Sequence, residues 1–213
     1  MWSSEVTNMI ITGIWETLYM TLVSTLVGYV IGLPMGIILT VSDKDGIKPN
    51  AVLYKILDVI ANIVRSVPFI ILLVLLIPFT RLVVGKSYGS TATIVPLVIA
   101  AAPYIARMVE SSLKEVDAGV IEAARSMGAS NFTIITKVML VEARTSLLVG
   151  ATITLGTILG YSAMSGAVGG GGLGAIAIRY GYTRWQTDIM IVTVILLIIL
   201  FQIFQTVGMK LGR

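Results

Sequence analysis

The side chains that most often carry enzyme chemistry are missing from this sequence. It contains no cysteine and no histidine, so thiolate nucleophiles, imidazole acid–base catalysis, disulfides and zinc sites of the usual ligand sets are all excluded. Carboxylates are present, but no apolar stretch holds a pair of them, so a catalytic set for an intramembrane enzyme is lacking. Two glycine-containing stretches invite a phosphate-binding reading. Gly85-Lys86-Ser87 fails because the pattern needs glycine at position 80, where the chain has Thr80. The run Gly169 to Gly172 with Gly174 is not followed by Lys and Ser or Thr, and neither stretch follows a strand. No catalytic residue and no metal site is expected. The remaining candidate is a polar segment, Asp117 to Glu142, DAGVIEAARSMGASNFTIITKVMLVE, in a chain only 12% charged.

The elements around that segment are built for lipid. Of the 213 residues 56% are hydrophobic, and mean hydropathy is +0.96, whereas a soluble domain carries about 25% charged residues. A helix crossing a hydrocarbon core of about 30 Å needs roughly 20 apolar residues. Five stretches qualify, at about 17–41, 52–79, 91–108, 146–168 and 188–209, and they predict an all-α integral membrane protein with one transmembrane domain, 1–213. The amino-terminal MWSSEVTNMI has neither a basic leader nor a small-residue cleavage pattern and is expected to be retained. The formal charge of +4 does not indicate nucleic acid, because the basic residues are scattered between apolar spans.

The spans differ in content. Gly28, Gly32 and Gly36 share one face of the first, where close packing against another helix is the simpler reading than a substrate role. The second holds Arg65 and Pro68. A charge within a span is a functional candidate, but here snorkelling to the headgroups and a proline kink account for both. Pro96 and Pro103 in the third argue for a bundle that satisfies the freed carbonyls. In the fourth, Gly150, Gly156, Gly160 and Gly166 alternate with Thr152, Thr154, Thr157, Tyr161, Ser162 and Ser165. That composition suits close packing and the lining of a polar passage equally. The glycine run that follows reads as a flexible turn or re-entry at the outer rim.

Basic residues orient the chain. One side receives ten, Lys44, Lys48, Lys55, Arg107, Lys114, Arg125, Lys137, Arg144, Lys210 and Arg213, and the other four, Arg81, Lys86, Arg179 and Arg184. The positive-inside rule then puts the loop at about 110–145 and the carboxyl-terminus in the cytoplasm, and the amino-terminus outside. Within that loop, Val120, Ile121, Ala124 and Met127 recur at helical spacing, Gly128 ends the helix, and Ser130 caps a second one bearing Phe132, Ile135, Val138 and Met139. Two short helices joined by a glycine turn form a compact knob suited to a soluble partner.

Glu122-Ala123-Ala124, three residues, Gly128, nine residues, then Val138-Met139-Leu140-Val141 resembles the cytoplasmic EAA loop of ABC importer permeases, with Val138 for the usual Ile and Val141 for the usual Pro. RSVPFIILLVLLIPFTR, IVPLVIAAAPYIARMVE and GYSAMSGAVGGGGLGAIAIRYGY extend the likeness to the five-span methionine importer permeases of that group. The resemblance implies a type I importer fold in the bacterial inner membrane and a homodimer around one pathway. It also implies two ATP-binding cassette subunits, which bind ATP and Mg while this chain holds no cofactor, and an extracytoplasmic protein that delivers D- or L-methionine. On this reading Glu122, Ala123, Ala124 and Gly128 couple the permease to the ATPase, while Tyr161, Ser162 and Met164 line the pathway. An importer for another small polar solute, or a scaffold that moves nothing, are the alternatives.

Overall fold

The computed structural model describes residues 4–212, so Met1 to Ser3 and Arg213, which enters the charge count, lie outside it. Every regular element among the described residues is helical. The longest is α1, Ser4–Ser42, and it packs along α5, Ser90–Lys114. The glycine face of α1 explains how closely. A Cβ at Gly32 would lie 2.6 Å from the Ala102 carbonyl oxygen, and one at Gly36 2.5 Å from that of Ala106, distances at which something must shift. The three glycines therefore serve packing within one chain. Thr17, Thr25 and Thr40 are buried on α1 and donate to the carbonyls of Gly13, Thr21 and Gly36 at 2.8, 2.7 and 3.0 Å. Their hydroxyls are thereby satisfied without water.

Between these two helices the chain makes α2, Ala51–Ser66, then α3, Phe69–Leu75, and α4, Ile77–Val84. Asn50 caps α2 by accepting from the Leu53 N–H at 3.0 Å. The second predicted span is broken: α2 and α3 meet at 101°. Proline excludes its predecessor from helical backbone, and Val67 is accordingly extended at φ −82°, ψ 123°. Among the described residues four helical stretches are long and apolar enough to cross a membrane, and the bent α2–α3 pair, taken as one span, makes five. Arg65 stands in the last turn of α2 beside Ala100 and Tyr104, midway along α5.

After α5 come the short helix α6, Ala118–Ser126, and α7, residues 131–142, then α8, Arg144–Ser165. The glycine run is a packed re-entry and no loose loop. α9, Gly172–Ile176, continues through a π-helical turn, Ala177–Tyr182, and lies against α8 and α1. A Cβ at Gly174 would meet the Ala163 carbonyl oxygen at 2.1 Å. The start of α9 is held by α1, because Glu16 accepts from the Gly172 N–H at 2.7 Å and Thr17 from that of Leu173 at 2.9 Å. The last helix, α10, Thr187–Leu211, packs on α8 and leaves most of its aliphatic side chains facing outward, as a lipid-facing helix should.

Candidate functional site

The polar segment folds as the two-helix knob its sequence predicts. Asp117 caps α6 by accepting from the Gly119 N–H at 2.7 Å, and Ser130 caps α7 by accepting from that of Thr133 at 3.2 Å. Gly128 between them sits at φ +81°, in the left-handed region that a side chain with Cβ occupies only at a cost. Ala124 is buried against the bundle, while Glu122 and Ala123 face outward. The apolar face is narrower than expected. Met127 is 82% exposed and Phe132 75% exposed, so two large apolar side chains flank the turn and project away from the bundle. In α7 a π-helical turn spans Ile134–Met139. Its wider winding puts residues five apart on one side, so that Ile134 and Met139 are the buried pair.

The knob is tied into the membrane part by charge. The Arg125 guanidinium donates to the Ile47 carbonyl at 3.0 Å, in the loop joining α1 to α2. From the same loop Asp43 pairs with Lys114 at 2.7 Å, and the hydrogen bond from that ammonium holds the Asp43 carboxyl below its ordinary value. Lys114 also reaches Glu110 at 2.8 Å, and Glu110 accepts from Arg107 at 2.7 Å and from the Tyr54 hydroxyl at 3.2 Å. Arg107 completes the chain on α2, donating to the Asp58 carboxylate and to the Asn62 amide oxygen. A continuous run of ion pairs thus joins the α1–α2 loop, α5 and α2. The sequence analysis missed this network, although Arg107, Glu110 and Lys114 stand at positions three and four apart, the spacing of one helix face.

The residues expected to line a pathway separate. Tyr161 reaches a cavity of about 180 Å³ that it shares with Arg65, Phe69, Leu72, Ala100 and Tyr104, and its ring stacks on that of Phe69. Met164 is half-exposed on the same helix. Ser162 is buried and donates to the Leu159 carbonyl at 2.8 Å. Thr152, Thr154 and Thr157 likewise donate to the carbonyls four residues back. Turned onto their own helix, these hydroxyls let α8 pack closely, and a Cβ at Gly208 of α10 would come within 2.0 Å of the Thr152 hydroxyl.

This arrangement of spans around a projecting knob can be compared with known proteins. A family model described as "binding-protein-dependent transport system inner membrane component" matches residues 32–208. This chain belongs to that family. It is a permease subunit of an ABC importer and not an enzyme. The permease is 49% identical over 212 residues to the probable D-methionine transport system permease protein MetI of Vibrio cholerae, covering 100% of this chain and 94% of that one. It is 52% identical over 158 residues to the D-methionine transport system permease protein MetI of Escherichia coli K12, covering 74% and 73%. Among solved structures, it superposes on an inward-facing conformation of the MetNI methionine ABC transporter with a TM-score of 0.98 at 50% identity, over 100% of this chain and 98% of that chain. An amino acid ABC transporter crystallised with histidines gives a TM-score of 0.80 at 22% identity, over 98% and 95%, which shows the shared fold.

Proposed function

We propose that this permease forms the membrane pathway of an ATP-driven importer of methionine, in its D or L form. The observation that carries the reading is full-length likeness, at about half identity, to a permease named for D-methionine transport. Two copies of the single domain, residues 1–213, enclose the pathway. Two ATP-binding cassette subunits dock on the paired knobs and bind the ATP and Mg, for which this chain offers no cradle. A binding protein delivers substrate at the opposite face. The amino-terminus lies outside and the coupling loop, about 110–145, in the cytoplasm.

The mechanism starts at the knob. α6 sits in a cleft of the ATPase, with Ala123 allowing close approach, Glu122 making the polar contacts and Ala124 holding the helix to the bundle. Gly128 fixes the angle at which Met127 and Phe132 meet the ATPase. Closure of the ATPase pair on ATP displaces α6. Arg125 passes that displacement to the α1–α2 loop, and the ion-pair run from Asp43 through Lys114, Glu110 and Arg107 carries it to Asp58 on α2. Packed helices respond as rigid bodies, so α2 and the break at Pro68 move with α5. Tyr161 and Met164 on α8 face what moves, and Ser162 between them turns its hydroxyl onto the Leu159 carbonyl of its own helix.

Uptake by vesicles carrying the permease, its ATPase and its binding protein tests the reading. Methionine accumulation that requires ATP supports it, and ATP-dependent accumulation of a different solute with none of methionine would refute the substrate.

A further inference from the structure

Arg65 on α2 stands outside the ion-pair network. Arg65 is exposed, and it makes no hydrogen bond or ion pair among the described residues. Arg107, two turns away across the α2–α5 contact, has Asp58, Glu110 and Asn62. The pairing of the two helices fixes the depth of Arg65. Tyr54 meets Glu110 near the end of α5, Asp58 and Asn62 meet Arg107, and Arg65 meets Ala100 and Tyr104. With 1.5 Å per residue, Ala100 to Tyr104 lies about 15 to 21 Å from the start of α5, near the middle of that apolar helix. An ionisable side chain kept at that depth without a protein partner marks a place where something polar binds or passes. The helix break at Pro68, three residues on, puts this depth in open backbone, where transporters commonly place their substrates.

The surroundings specify the ligand. The cavity of about 180 Å³ at Arg65 has aromatic walls, Phe69, Tyr104 and Tyr161, and aliphatic ones, Leu72 and Ala100, and its lining includes no carboxylate. A guanidinium in a low-dielectric wall takes a carboxylate with two parallel hydrogen bonds, more strongly than a neutral donor could. A thioether gains further from contact with ring edges.

We propose that Arg65 is a substrate-binding residue of the pathway, holding the α-carboxylate of the transported amino acid while the side chain lies against Phe69, Tyr104 and Tyr161. The site deepens the reading of this chain as an amino-acid importer and rests on it. It selects for an anionic end and an apolar tail, so it accepts methionine in either hand, provided that the carboxylate reaches Arg65.

The test uses the full complex in vesicles, with uptake of labelled methionine and ATP hydrolysis measured on the same preparation. Arg65→Gln removes the charge, and Arg65→Lys keeps it without the planar fork. The expected result is at least a tenfold drop in methionine uptake for Arg65→Gln and an intermediate rate for Arg65→Lys. Hydrolysis stimulated by the binding protein stays within about twofold of the wild type in both, which also shows that the variants assemble. Unchanged uptake in Arg65→Gln overturns the site while leaving the importer reading intact. Equal loss of uptake and hydrolysis in both variants overturns it in favour of a structural role, such as a contact with the second copy. A wild-type complex that carries only solutes without a carboxylate overturns the amino-acid reading and the site together.

Discussion

The ring of Tyr161 on α8 lies flat on the ring of Phe69 on α3, with centroids 4.4 Å apart and planes 4° from parallel. The stack joins the helix after the Pro68 break to the span opposite it. Such a pair contributes about 0.5–1.5 kcal/mol beyond its buried area. Tyr161→Phe keeps the stack and should retain uptake within about twofold. Tyr161→Ala should lower both uptake and the melting temperature of the purified complex, and equal behaviour of the two variants would show that the stack carries no function.

Backbone approach between α1 and α5 sets a second expectation. Gly32→Ala pushes a methyl into the Ala102 carbonyl, and overpacking of that kind costs about 1–3 kcal/mol. A Cβ at Gly160 meets nothing within 4 Å. Thermal unfolding in detergent should therefore separate a destabilised Gly32→Ala from a Gly160→Ala that melts like the wild type.

Glu110 is 5% exposed and shares its carboxylate among Arg107, Lys114 and Tyr54. Removing one partner of a buried pair costs about 3–5 kcal/mol, because the other charge is left unpaired. Glu110→Leu should destabilise the complex by an amount near the lower end of that range, since Lys114 retains Asp43. Combining it with Arg107→Met should cost less than the sum of the two single changes, a result read directly from a double-mutant cycle.

At Gly128 the left-handed backbone predicts uncoupling. A β-branched residue at φ +81° is disfavoured by about 1–2 kcal/mol, and relaxing it would swing α7 relative to α6. Gly128→Val should leave ATP hydrolysis measurable while uptake falls severalfold. Normal uptake per ATP hydrolysed would dismiss the coupling role.

Stability should respond to acid at Asp43. Its carboxyl is held below the ordinary value by Lys114, so folding binds fewer protons there than the unfolded chain does. The contribution of the pair is then complete above the ordinary carboxylate range and is lost as pH falls through the lowered value. It is small, below about 1 kcal/mol, since the Lys114 side chain is 42% exposed. Asp43→Asn should flatten the acid limb of the melting temperature between about pH 5 and pH 3, and an unaltered limb would assign that dependence to other groups.

Much of this architecture is legible in the sequence, and the exceptions have physical causes. Hydropathy locates the five membrane stretches, and the spacing of Gly28, Gly32 and Gly36 identifies a packing face, but spacing on one helix does not say which helix comes to meet it. Pro68 announces an interruption; it constrains Val67 and leaves the direction of α3 to tertiary packing, so the 101° turn was out of reach. The hydroxyls of α8 suit packing and passage equally in the sequence, because composition is blind to rotamer. A threonine that donates to its own helix is polar in the sequence and nearly apolar in effect. In the knob, the caps and the glycine turn follow from local chemistry, whereas the exposure of Met127 at the end of α6 and of Phe132 in the first turn of α7 depends on how the knob stands against the bundle, which helical spacing does not contain. The place of Arg65 beside the middle of α5 follows from the pairing of α2 with α5, which the sequence of either helix alone does not contain.

The contact of α1 with α5 through glycines has a use as a ruler. Because backbone meets backbone at Gly32 and Gly36, the two helices cannot slide without a clash, and they behave as a single beam. A pair of spin labels, one on each helix, should keep a fixed separation through a transport cycle. That constant distance gives the zero against which the displacement of α8 can be calibrated.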